Sequence, residues 1–116
     1  MSRRPDVARA GLAGAAPVFA ALGDETRLRL VARLCTEGPL SIVHLSAGAA
    51  VTRQAVTKHL HALADAGLVR SKQRGRRRQR IWALESRRLH EARRYLDRIS
   101  EQWDGALERL RAFVEK

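Results

Sequence analysis

The chain carries three hydrophobic periods in succession: helical up to residue 66, strand-like between 68 and 84, and heptad-like from 86 onward. Pro17 suits the opening of a short helix through Leu22, because its fixed φ fits a first turn. Gly23 breaks that helix and Asp24 can cap the next, whose apolar face reads as Leu28, Val31, Ala32, Leu34 and Cys35. Gly38-Pro39 ends it. Ser41 can cap a short third helix bearing Ile42 and Leu45, and the small residues Ala47–Val51 form a tight connection. Thr52 then caps a fourth helix, expected to run to about Ala66 and stop at Gly67. Its inward positions are Val56, Leu60 and Leu63, while Arg53, Gln54, Thr57, Lys58 and His61 occupy the opposite side.

Leu68–Ser71 and Gln79–Leu84 read as strands, and Arg74-Gly75-Arg76 supplies the glycine a hairpin tip needs for positive φ. From about Ser86 to Glu115 a single long helix is expected. Leu89, Ala92, Leu96, Ile99, Trp103, Ala106, Leu110 and Phe113 form an a/d seam along it, widened by Leu107 and Val114. A helix of roughly 30 residues is ~45 Å long. A small domain cannot cover that length, so the seam predicts pairing with a second copy of the chain. The fold class expected is mainly α with a small β-hairpin wing: a winged helix-turn-helix with a long C-terminal dimerisation helix. It divides into an N-terminal arm (residues 1–16, partly flexible), a DNA-binding domain (17–84) and the dimerisation helix (85–116).

Composition narrows the function. The chain has 116 residues and a net charge of +11. Residues 1–51 carry a net +2 and residues 85–116 a net +1, whereas residues 52–84 hold nine basic residues and one acidic, a net +8. Charge concentrated this way calls for a polyanionic partner. A membrane surface would want it on a long amphipathic helix, but it lies mostly on the hairpin, so double-stranded DNA is the expected partner. No stretch approaches the ~18 apolar residues of a membrane span, no secretory leader is evident, and the lone Cys35 excludes an internal disulfide framework. A cytoplasmic protein without a cofactor is expected. Enzyme motifs are absent: there is no phosphate loop, nucleophile–base order or paired-carboxylate motif.

Two segments resemble a known family. Phe19-Ala20-Ala21-Leu22-Gly23-Asp24-Glu25-Thr26-Arg27-Leu28-Arg29-Leu30 resembles the opening signature of the ArsR-type winged helix-turn-helix repressors. Val56-Thr57-Lys58-His59-Leu60-His61-Ala62-Leu63, continuing into Ala66-Gly67-Leu68-Val69, is similar to their recognition segment. The resemblance implies a homodimeric repressor that leaves DNA when an effector is sensed; the effector itself is unknown. Metal-sensing members carry Cys-x-Cys in the third helix, where this chain has Ser41 and Val43. Another branch binds zinc on the last helix, where this chain keeps His90 with Glu101 and Asp104. No metal site is expected. Cys35, on the apolar side of its helix, is expected to act as a small core hydrophobe.

For DNA, Thr52, Arg53, Gln54, Thr57, Lys58 and His61 are the expected contacts of the recognition helix. Lys72, Arg74, Gly75, Arg76, Arg77 and Arg78 are those of the wing. Arg and Gln are suited to guanine and adenine edges in the major groove. The alternative is an architectural protein that binds DNA without sequence preference.

Overall fold

The computed structural model describes residues 14–75 and 79–115. Its elements, in chain order, are α1 (residues 14–22), α2 (Glu25–Glu37), β1 (Leu40–Ser41), α3 (Ile42–Ala47), α4 (Arg53–Asp65), β2 (Val69–Arg74), β3 (Gln79–Leu84) and α5 (Ser86–Val114). Whatever was expected of residues 1–13 and of Arg76, Arg77 and Arg78 lies outside the described residues.

Local chemistry sets the boundaries. Each of the three helices α2, α3 and α4 begins at a side-chain cap: Asp24 accepts from the Arg27 N–H, Ser41 from His44 and Thr52 from Ala55. The Arg27 N–H bond, aided by the nearby His59 and Arg27 side chains, holds the Asp24 carboxyl below the usual carboxylate range. At the other end of α4, Gly67 has φ +80°. Its N–H meets the Ala64 carbonyl while the Leu68 N–H meets that of Leu63, both at 2.9 Å. That is the paired-bond helix ending which glycine permits, and it turns the chain from α4 directly into the wing.

Residues 14–16 are already helical and Ala15 is fully buried, so α1 starts earlier than the expected opening at Pro17. The first N–H groups of a helix have no intrahelical partner, so proline is tolerated through the first turn and marks a helix start only approximately.

The sheet has three antiparallel strands in the order β1-β3-β2. β1 is too short to read from sequence: Leu40 pairs with Trp82 and Ser41 with Ile81. Val69 pairs with Leu84 and Arg74 with Gln79, so the hairpin is in register from its root outward. Gly75, at φ +76°, begins the turn.

One core joins α1 (Val18, Ala21), α2 (Leu30, Leu34), α3 (Leu45), α4 (Val56, Leu60, Leu63), Leu68 of the turn after α4, the sheet (Val69, Trp82) and Ala92 of α5. Two expectations fail here. On α2, Leu34 is buried and Val31 packs half-buried against the core as expected, but Leu30 is buried with them while Leu28, Ala32 and Cys35 are exposed. Leu34 and Val31 anchor the apolar face, and periodicity alone does not say whether Leu30 or the Leu28 and Cys35 side completes it. Ala92, expected at the seam, is 1% exposed and packs inside its own chain.

Past Tyr95 the long helix leaves the domain. From Leu96 to Val114 every residue except Gly105 is exposed, and no helix among the described residues is long and apolar enough to cross a membrane. The Cα radius of gyration, 18.8 Å, exceeds the ~13 Å of a compact chain of this size.

Candidate nucleic-acid interface

The recognition surface is built on α4, which rests on Val56, Leu60 and Leu63, all fully buried. With those three turned inward, helical geometry turns Gln54 and Lys58 outward. Arg53, Gln54, Thr57 and Lys58 together line one shallow, open hollow. No carboxylate lies within 4 Å of Arg53 or Lys58 among the described residues. Their charges therefore face solvent uncompensated. Thr57 donates its hydroxyl to the Arg53 carbonyl at 2.9 Å, which leaves only its lone pairs for a ligand. The Thr52 hydroxyl accepts from the Ala55 N–H at 3.1 Å.

His61 stands apart from this hollow. Its ring meets Trp82 of β3 edge-on, with centroids 5.6 Å apart, so it joins the recognition helix to the wing. His59 faces the other flank. Its Nδ1 lies 3.4 Å from Arg27 Nη1 and 3.8 Å from an Asp24 carboxylate oxygen. The Arg27 Nε donates to the Ala21 carbonyl at 2.6 Å. That cluster ties the end of α1, the cap of α2 and the middle of α4 together.

Arg33 does the same for the turn before α4. Its Nη1 donates to the carbonyls of His44 at 3.0 Å and Leu45 at 3.2 Å, while Nε donates to Glu37 at 2.8 Å. The guanidinium thus satisfies C-terminal carbonyls of the short α3, and its hydrogen bond holds the Glu37 carboxyl below the usual range. A Cβ on Gly48 would lie 2.6 Å from Arg33 Nη1, so the turn closes tightly on this side chain.

Strand alternation sorts the wing residues into two faces. Trp82 and its partner Ser71 look toward the core and α4; two residues outward, Arg80 and its partner Gln73 continue that face. Arg80 is held there by donating to the Ser71 hydroxyl at 2.8 Å. Lys72 and Arg74 fall on the opposite face with Arg70, Ile81 and Ala83. The expected wing set therefore splits. Lys72 and Arg74 back away from α4, Gly75 begins the turn, and Arg80, which was not among the expected contacts, stands beside the recognition helix. The two-residue spacing of Arg80 and Trp82 was the available signal.

On α5, Leu89, Leu96, Ile99, Trp103, Leu110 and Phe113 are all exposed, Trp103 at 65% and Phe113 at 77%, and Ala106 is exposed with them. Among the described residues no group of three or more His, Cys, Asp or Glu is gathered to hold a metal ion.

A recognition helix seated on the core with its polar cationic face outward, a cationic hairpin after it and a three-stranded sheet define a winged helix-turn-helix DNA-binding protein. Comparison with known proteins agrees. A helix-turn-helix domain family matches residues 22–72. The uncharacterized HTH-type transcriptional regulator YuzN of Bacillus subtilis (strain 168) is 39% identical over 74 residues, which span 59% of this chain and 80% of that protein. An ArsR-like transcriptional regulator from Rhodococcus sp. RHA1 superposes with a TM-score of 0.74 at 36% identity, covering 88% of this chain and 93% of that one. The crystal structure of an ArsR family transcriptional regulator gives 0.68 at 29% identity, covering 83% and 93%. The chain belongs to the ArsR-type family of winged helix-turn-helix transcriptional regulators.

Proposed function

We propose that this regulator is a homodimeric repressor that reads a pseudo-palindromic operator. The observation that carries this reading is the uncompensated polar face of α4, where Arg53, Gln54 and Lys58 stand exposed around one hollow. In the major groove, Arg53 and Gln54 are the base readers and Lys58 a phosphate contact. Thr52 sits at the N-terminus of α4, a position suited to a backbone phosphate. Arg80 and the wing add contacts to the flanking backbone. Residues 17–84, together with the helical residues 14–16, form the reading unit, and residues 85–116 form the pairing unit. The exposed seam of α5 supports pairing, and two-fold pairing sets half-sites about one helical turn, 10–10.5 bp, apart. A dimer seated on such a site occludes it from other proteins, which is repression.

Selection of bound sequences from random duplexes tests the reading. An enriched, two-fold symmetric motif is expected. Replacing Arg53 or Gln54 with Ala should then cost about 1–3 kcal/mol of discrimination at one base position in each half-site. Equal binding of all duplexes would instead make the chain an architectural DNA-binding protein.

The wing has its own signature. Arg80→Gln is expected to weaken all duplexes alike and to lower the slope of log affinity against log salt by about one per chain. Lys72→Gln, on the far face, is expected to change that slope less. Equal slopes for the two variants would show that the two faces of the hairpin meet DNA alike.

A further inference from the structure

The face of the sheet turned away from α4 holds a hollow of about 320 Å³. Its floor is apolar: Ile81 and Ala83 project from β3, and Pro39 closes the side next to β1. Its rim is cationic, formed by Arg70, Lys72 and Arg74, alternate residues of β2. Among the described residues no carboxylate lines it. One acidic group reaches the rim from outside, Glu85, whose carboxylate is 3.5 Å from Arg70 Nη1; that pair is largely exposed and so exchanges readily with a competing anion.

We propose that this hollow is a binding site for a small amphipathic anion, an aryl or short alkyl carboxylate whose apolar body covers Ile81 and Ala83 while its charge meets the β2 cations. The volume sits at the small end of ligand pockets, and an apolar floor with a few convergent polar groups is their usual make-up. Charge complementarity fixes the sign of the ligand. The floor separates this from a plain phosphate contact, because inorganic phosphate gains nothing from apolar surface.

Occupancy also has a consequence for DNA, and this half of the inference rests on the DNA-binding function proposed above. The same β2 cations belong to the net +8 segment that attracts the duplex. An anion held on Lys72 and Arg74 cancels part of that field, so ligand and DNA oppose one another, and the opposition is reciprocal.

The test uses the full chain and 1-naphthoate as probe, with 1-naphthalenemethanol and inorganic phosphate as arms, followed by calorimetry. Naphthoate is expected to bind at one saturable site per chain, with the neutral alcohol and phosphate each at least several-fold weaker. Ala83→Leu fills the floor and leaves every cation in place, so it is expected to abolish naphthoate binding while duplex affinity stays at the parent level. Should Ala83→Leu fail to fold, Lys72→Gln with Arg74→Gln is expected to weaken naphthoate several-fold and leave the alcohol unchanged. Saturating naphthoate is expected to weaken duplex binding about fivefold or more, the lower end of ordinary coupling. Phosphate binding as tightly as naphthoate, or naphthoate binding unmoved by the variant that folds, would overturn the site. A chain that binds naphthoate as expected but ignores every duplex would overturn the proposed function and leave the site standing.

Discussion

A chain carrying Leu96→Asp and Trp103→Asp is expected to sediment as a monomer, and the parent chain as the proposed dimer. Both side chains are more than half exposed in the single chain and lie on the seam beyond the domain. Burying a large apolar side chain contributes about 1.5–3 kcal/mol, and a two-fold interface counts each position twice. The double variant therefore removes about 6–12 kcal/mol of association, and a factor of ten in dissociation constant corresponds to 1.4 kcal/mol. Weakening by four or more powers of ten is enough to abolish dimers at micromolar concentration. The winged domain should stay folded, because neither side chain belongs to its core. Affinity for a two-half-site duplex should fall toward that for a single half-site. Dimers that persist by analytical ultracentrifugation would move the pairing surface off α5.

Leu60→Ala is expected to be the most damaging single change to stability near the interface. Leu60 is fully buried under the middle of α4, and leucine-to-alanine changes at such sites cost about 2–5 kcal/mol through lost transfer energy and the cavity left behind. Against a typical total of 5–15 kcal/mol this is a large fraction. At about 4–8 °C per kcal/mol for a domain of this size, the melting midpoint should fall by about 8 °C or more. Lys58→Ala, two residues away on the exposed face, should move the midpoint little yet weaken DNA binding. Thermal melts of both variants separate the two roles of α4. A destabilisation below about 1 kcal/mol for Leu60→Ala would mean that α4 is not seated on the core as described.

Much of the fold was legible in the chain because its signals are local. Asp24, Ser41 and Thr52 cap the helices they precede, and Gly67 with Leu68 ends α4 through bonds spanning six residues. The phase of α4 was legible too, since Val56, Leu60 and Leu63 leave one apolar stripe and no rival. Helix α2 was legible only in part: Leu34 and Val31 meet the core as expected, whereas Leu28, Ala32 and Cys35 do not and Leu30 does. The core is shaped by α1, α4 and the sheet together, so only their packing decides that Leu30 goes inward and Leu28, Ala32 and Cys35 outward. β1 was invisible for a related reason: two residues have no period, and they become a strand only because Trp82 and Ile81 present an open edge.

The interface divides along the same line. That α4 carries a polar cationic face follows from spacing alone, as does the exposed seam on α5. Which hairpin cations share that face does not, because it requires the β2–β3 register and the side on which α4 packs; the register places Arg80 beside the recognition helix and Lys72 and Arg74 behind it. The clamp of Arg33 on the α3 carbonyls likewise joins residues eleven and twelve positions apart. By itself the sequence determined the helices, their caps, the charge of the reading segment and the apolar repeat of the tail, all properties of neighbours within a turn or two. The tertiary structure alone decided the full hidden face of α2, the burial of Ala92 and the side of the hairpin that α4 covers, since burial there is set by everything that packs around a residue.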